Sequence, residues 1–317
     1  MSTTSPASQD SETDASYEIG LSAGDYHPLF EEQDDTDIVL SSLEGILFRA
    51  HVVILRRTSS FFKMMFALPQ VNSGLPSPSQ PPIIPIDSEA PMLSLGLSMI
   101  YGMPFAFDML DKPEEIDTFL AFCDKWEMHG PMRTVRCALQ RPSLLENHPL
   151  WLYRTALRYD WPEVAKSAAM NCLAFDLRQP GTLLALAPLT ITDFYPLVAL
   201  SRQRIDVFRE SINSPDLFGG SSEPHSCSTC GDVSNDLTWK VLRMRLTDTM
   251  EACPRGDLIR DEEMMGWPEW LACMSAFHCE GETLFGGEGT RSALLQVLDS
   301  LPTELDLSNR PLHDETH

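Results

Sequence analysis

Asp37-Ile38-Val39-Leu40-Ser41-Ser42-Leu43-Glu44-Gly45-Ile46-Leu47-Phe48-Arg49-Ala50-His51 decides the fold of the N-terminal part of this 317-residue chain. Two short apolar runs, 37–40 and 46–51, flank Glu44-Gly45, where glycine accepts the positive φ of a tight turn, so the stretch reads as a β-hairpin. With a side-chain period of two, Ile46, Phe48 and Ala50 share one face of the second strand. After His51, Val52 to Leu55 is a short apolar helix. Ser59 and Ser60 can cap the next helix, in which Phe62, Met65 and Phe66 fall at i, i+3 and i+4. Ile83-Ile84-Pro85-Ile86-Asp87 supplies a third strand and Met92 to Tyr101 a helix. Ile116 to Met128 is another helix, with Ile116, Phe119, Leu120 and Cys123 on one face.

This order resembles the BTB/POZ domain, and within it the fungal, basidiomycete-type BTB proteins. The residues that carry the likeness are Asp37 opening the first strand, Phe48-Arg49-Ala50-His51 as F-x-A-H, Ser60 before Phe62-Lys63-Met64-Met65-Phe66 as F-x-x-M-F, the Ile100-Tyr101-Gly102 helix end, and Ala121 through Lys125-Trp126-Glu127-Met128. The resemblance implies an α+β fold: a BTB-like domain of short strands plus helices over residues 34–140, then an all-helical C-terminal region. It implies a protein–protein interaction adaptor or scaffold, self-associating, with no chemistry of its own and so not an enzyme. In the family the dimer interface uses the first helix and neighbouring strands, which makes Val52, Val53, Leu55, Phe61 and Phe62 interface or core residues, two roles that both demand apolar side chains. Two departures narrow the carry-over. Val52 stands where many BTB domains have a basic residue to pair with the first-strand aspartate. The cullin-binding φ-x-E motif has no glutamate counterpart in Ala67 to Ser73, so a cullin-type ubiquitin-ligase adaptor remains an alternative that these residues do not favour.

The formal net charge is −23, and no Lys or Arg precedes Arg49. Phosphate affinity rests on Lys and Arg, so direct nucleic-acid binding is not expected. Residues 1–33 read as a disordered acidic tail by composition. Gly20-Leu21-Ser22-Ala23-Gly24 matches the hydrolase string G-x-S-x-G, but lies in that tail with no strand before it, and is read as a chance match. The Pro/Ser-rich segment 72–82 is a loop insert. The start of the chain lacks the basic and apolar stretches of an export signal, and no clean apolar span fits a membrane helix: Leu183 to Leu200 is broken by Pro188, Asp193 and Pro196 and reads as a buried helical pair. With eight irregularly spaced cysteines, a cytoplasmic or nuclear compartment is expected.

Residues 141–213 read as a helical extension. Trp151, Ala156, Tyr159, Val164, Ala165, Ala168, Cys172 and Leu173 form its apolar face, and Trp161-Pro162-Glu163 starts one helix. Arg202, Arg204 and Arg209 read as facing solvent or the acidic rest of the chain rather than binding a ligand. Residues 214–317 form a Cys-containing helical region with a turn at Gly286-Gly287-Glu288-Gly289 before a last helix, Ser292 to Leu301. Within it His225-Ser226-Cys227-Ser228-Thr229-Cys230-Gly231 has the shape of a zinc knuckle, since two thiolates two residues apart can share a metal while glycine turns the backbone. Cys273 and Cys279 would complete one structural zinc, with Cys253, His278 and His225 as further candidates. Unliganded thiols and a thioredoxin-like redox pair are the competing readings, and a zinc-dependent or thiol enzyme using the pair is the remaining functional alternative.

Overall fold

The computed structural model describes residues 21–31, 35–68, 81–105, 111–187, 189–214, 237–275, 277–278, 282–283 and 287–308. The chain divides into two compact units, one of residues 1–109 with 114–133, the other of residues 110–113 with 134–317.

In the first unit, β1 (Ile38–Ser41) lies between β2 (Leu47–Ala50) and β3 (Ile83–Pro85). It pairs antiparallel with β2, Ile38 opposite Ala50, and parallel with β3, Val39 opposite Ile83. The expected turn is there: Gly45 has φ 82, and its amide donates to the Ser42 carbonyl at 3.0 Å. Ile46, Phe48 and Ala50 are buried on one face, as the period of two predicts. All of Ile38, Val39 and Leu40 are buried, because a central strand is covered on both faces.

The helices α1 (Val52–Thr58), α2 (Ser60–Met65), α3 (Ala90–Tyr101) and α4 (Pro113–Lys125) supply the rest of this core. Ile116, Phe119, Leu120 and Cys123 of α4 have no accessible surface, as their spacing requires. The hairpin turn also serves α3: the Glu44 carboxylate accepts from the Ala90 amide at 3.0 Å, satisfying one of the amides a helix start leaves over. Lys125 donates to both the backbone oxygen and the carboxylate of Asp87, each at 2.6 Å, closing the chain after β3 onto the end of α4.

Within the segment that composition assigns to the acidic tail, residues 25–30 make contacts with β2 and the core. The His27 amide donates to the Leu47 carbonyl at 2.8 Å, and Leu47 donates to Asp25 at 2.9 Å, so this strap runs along the outer edge of β2. A 3-10 turn, Pro28–Phe30, then drops Phe30 into the core with no exposed surface. His27 stacks on Phe48 at 5.0 Å, and its Nδ1 accepts from the Leu29 amide at 3.3 Å. Burial lowers the pKa of His27 from the ordinary 6.5. The unfolded chain therefore binds the proton more readily, and the stability tied to neutral His27 is lost as pH falls below about 6.5. We expect His27→Phe, which keeps the ring stack but cannot titrate, to flatten the fall in thermal stability between about pH 8 and about pH 5. An unchanged slope would contradict this.

The division between units falls inside α5 (His129–Ala138). The second unit is helical: α6 (Pro142–Asn147), α7 (Pro149–Arg158), α8 (Pro162–Cys172), α9 (Pro180–Leu186), α10 (Ile191–Ile212), α11 (Leu237–Ala252), α12 (Asp257–Arg260), α13 (Pro268–Met274) and α14 (Gly287–Ser300). Prolines begin α6 to α9, where a missing amide costs nothing. Two small strands, β4 (Phe277–His278) and β5 (Glu282–Thr283), pair antiparallel.

α7 and α8 pack through Ala156, Val164, Ala165 and Ala168, the small residues read from the sequence. Trp151 and Tyr159 are only half-buried, and the deep positions of α7 are Leu152 and Tyr153, whose hydroxyl donates to the Asp193 carbonyl at 2.9 Å. A second apolar cluster joins Phe208, Trp239, Leu242, Leu246, Met264, Trp270, Cys273 and Leu298. Gly287 to Gly289 lie inside α14 rather than in the turn expected there.

Arg204 is the main correction in this unit. It is 2% exposed, not solvent-facing. Its Nε donates to the Pro254 carbonyl at 2.8 Å, and its two terminal nitrogens donate to Pro302 at 2.6 Å and Arg255 at 3.3 Å. Those carbonyls follow the C-terminal ends of α11 and α14, where a cation is favoured by the helix dipole. Arg202 is exposed, as expected, and Arg209 is half-buried against Glu251 at 3.1 Å.

Candidate protein-interaction site

The entry to α1 is built by three polar side chains. His51 precedes the helix but offers its first turn no side-chain bond. Asp37 takes that role, its Oδ1 accepting from the Val52 amide at 2.8 Å. The His51 amide donates to the Tyr101 hydroxyl at 2.8 Å, and His51 Nδ1 lies 3.0 Å from the same oxygen. Burial pushes the Tyr101 pKa up to about 12, with the His51 amide pulling the other way and the Asp37 charge adding to the rise. With valine at position 52, Asp37 is thus a backbone cap, which needs no basic neighbour. His51 is the hydrogen-bonded strand-end residue that its position suggests.

Ser59 ends α1 and begins α2. Its hydroxyl accepts from the Phe62 amide at 3.1 Å and donates to the Trp126 carbonyl at 2.6 Å, and the residue is 2% exposed. Ser60, the serine matched to the family pattern, is exposed on the first turn. Behind Ser59 stand stacked rings: Phe62 is parallel to Trp126 at 5.9 Å, and Phe61 meets Trp126 edge-on at 5.0 Å.

This framework separates the five apolar candidates. Leu55 and Phe62 have no accessible surface and are core. Val52 and Phe61 are half-buried. Val53 is 55% exposed and points outward. The same face of α1 carries exposed Arg56 and Arg57, and the outer face of α2 carries exposed Ser60, Lys63 and Met64. Helix period could have found these residues, since 53, 56 and 57 stand at i, i+3 and i+4, as do 60, 63 and 64, opposite buried Leu55 and Phe62. The result is an outer face on an acidic chain with apolar contacts and three cations.

Residues 26–143 match the family model of the BTB/POZ domain. The N-terminal part of the chain is a BTB domain. The match starts at Tyr26, which bridges to Leu47 in the strap on β2, so the packed strap belongs to the BTB domain. No curated protein matches the chain. A BTB domain is an interaction module, and here it is followed by a helical C-terminal region.

The metal candidates are placed differently. Cys227, Cys230, Cys279 and His225 lie outside the described residues, and so does the environment of the His278 side chain. Cys273 is on α13 within the apolar cluster of Trp239 and Trp270, with no exposed surface. Burial pushes its thiol up to about 11, with the Thr238 hydroxyl acting in the opposite sense. Cys253 is also buried, its sulfur 4.0 Å from Asp257 Oδ2. Among the described residues no three His, Cys, Asp or Glu side chains are grouped to hold a metal, and no helix is long and apolar enough to cross a membrane.

Proposed function

We propose that this chain is an adaptor or scaffold of the cytoplasm or nucleus, which binds other proteins and pairs with a second copy through the outer α1–α2 face of its BTB domain. The observation that supports it is the exposure of Val53 and Met64 beside Arg56, Arg57 and Lys63. The apolar pair offers contact area that favours burial. The cations around it can meet the acidic surface of the partner copy, offsetting the repulsion expected between two chains of charge −23.

The test uses two tagged forms of the full chain expressed together. Capture of one is expected to recover the other in comparable amount. Val53→Asp places a carboxylate in the apolar contact and is expected to cut recovery about tenfold or more, with the circular dichroism spectrum unchanged because Val53 is outside the core. Equal recovery with Val53→Asp would contradict this assignment of the face. A cullin recovered stoichiometrically in the same capture would instead make the chain a ubiquitin-ligase adaptor.

A further inference from the structure

The segment read as a buried helical pair is open on one side. Ile191 is 82% exposed, Leu184 78% and Tyr195 68%, with Leu183 also exposed. α9 turns Thr182 and Leu186 inward, which leaves the Leu183-Leu184 pair on its outer surface. Two depressions meet at Ile191. One, about 350 Å³, runs along α10 past Tyr195 to Glu304 and Asp306, and the other, about 280 Å³, lies between α9 and α10. Isolated apolar residues on a surface need no explanation, but a contiguous concave set marks a contact site.

The rim indicates the occupant. Glu304 and Asp306 line the first depression, and among the described residues no Lys or Arg lines it, although the Lys166 charge reaches Asp306 and helps to lower its carboxyl. The Ser308 hydroxyl and amide both donate to Asp306 Oδ1, at 2.6 and 2.9 Å, and hold its carboxyl below the usual carboxylate range. A second copy packed groove to groove would bring the same carboxylates to the same rim, its cationic α1–α2 face is assigned to BTB pairing, and nucleic acid would bring phosphates. We propose that the α9–α10 groove binds a segment of a partner protein that carries apolar anchors flanked by lysine or arginine. The apolar side chains would sit over Ile191 and Tyr195, and the cation against Glu304 and Asp306. This deepens the adaptor reading and rests on it: the BTB domain pairs copies, and the helical unit holds the client.

The probe is a library of random peptides displayed on phage, selected on the immobilised full-length chain. Enriched peptides are expected to combine apolar positions with Lys or Arg. The double variant Ile191→Ser, Tyr195→Ser is expected to weaken binding of a synthesised consensus peptide about tenfold or more, as loss of interface anchors does. The double variant Glu304→Lys, Asp306→Lys is expected to turn the selection towards acidic peptides. No enrichment, an acidic consensus on the unaltered chain, or undiminished binding to the Ile191→Ser, Tyr195→Ser variant would overturn the proposal. So would loss of pairing between copies in that variant, which would make a second copy the occupant. The Val53→Asp chain should still bind the peptide, so failure at the groove and failure of BTB pairing are told apart.

Discussion

Ser59→Ala is expected to destabilise the BTB domain by about 2–4 kcal/mol. The hydroxyl performs two tasks. It satisfies the Phe62 amide at the start of α2, and loss of such a cap costs about 1 kcal/mol. It also satisfies the Trp126 carbonyl in a buried site, and leaving that acceptor bare costs about 1–3 kcal/mol more. Ser60 is the control. It is next in sequence, matches the family pattern and is exposed, so Ser60→Ala should change stability by less than about 0.5 kcal/mol. Calorimetric unfolding of the two variants checks the contrast, and equal effects would show that the cap has been assigned to the wrong serine.

Arg204→Met should cost the helical unit about 3–5 kcal/mol, more than any other single arginine replacement discussed. Methionine fills much of the same volume, so the loss would come from charge and hydrogen bonds rather than from a cavity. Three backbone oxygens would lose their donors, that of Pro254 in a buried site and those of Arg255 and Pro302 in partly buried ones. Arg204→Lys should fall between, because one ammonium cannot span three acceptors arranged around a planar fork. Arg202→Ala, two positions away and exposed, should be near neutral. Calorimetry or denaturant unfolding of the second unit measures the series, and a mild Arg204→Met would show that water reaches those carbonyls.

These two residues also show what the sequence could and could not disclose. The hairpin was legible because Gly45 and the alternation of Ile46, Phe48 and Ala50 are local signals. The α4 face was legible because four apolar residues repeat with the helix period. Arg204 was not, because a guanidinium reads as surface, and the carbonyls that hold it lie 50 or more positions away. The choice between Ser59 and Ser60 turned on Trp126, again a distant partner. Tyr26 to Phe30 were hidden by an acidic, polar context: two aromatic residues in a stretch of that composition give no period, and only the edge of β2 makes them structural. On α1, apolar character named Val53 and Leu55 alike, and burial alone separated them.

The proposed pairing of the chain with itself through its BTB domain has a direct physical readout, the mass of the particle in solution. Sedimentation equilibrium of the purified chain measures that mass. The expected mass is twice that of the 35.5 kDa chain, falling to the single-chain value in Val53→Asp. A single-chain mass for the unaltered protein at every concentration would contradict it.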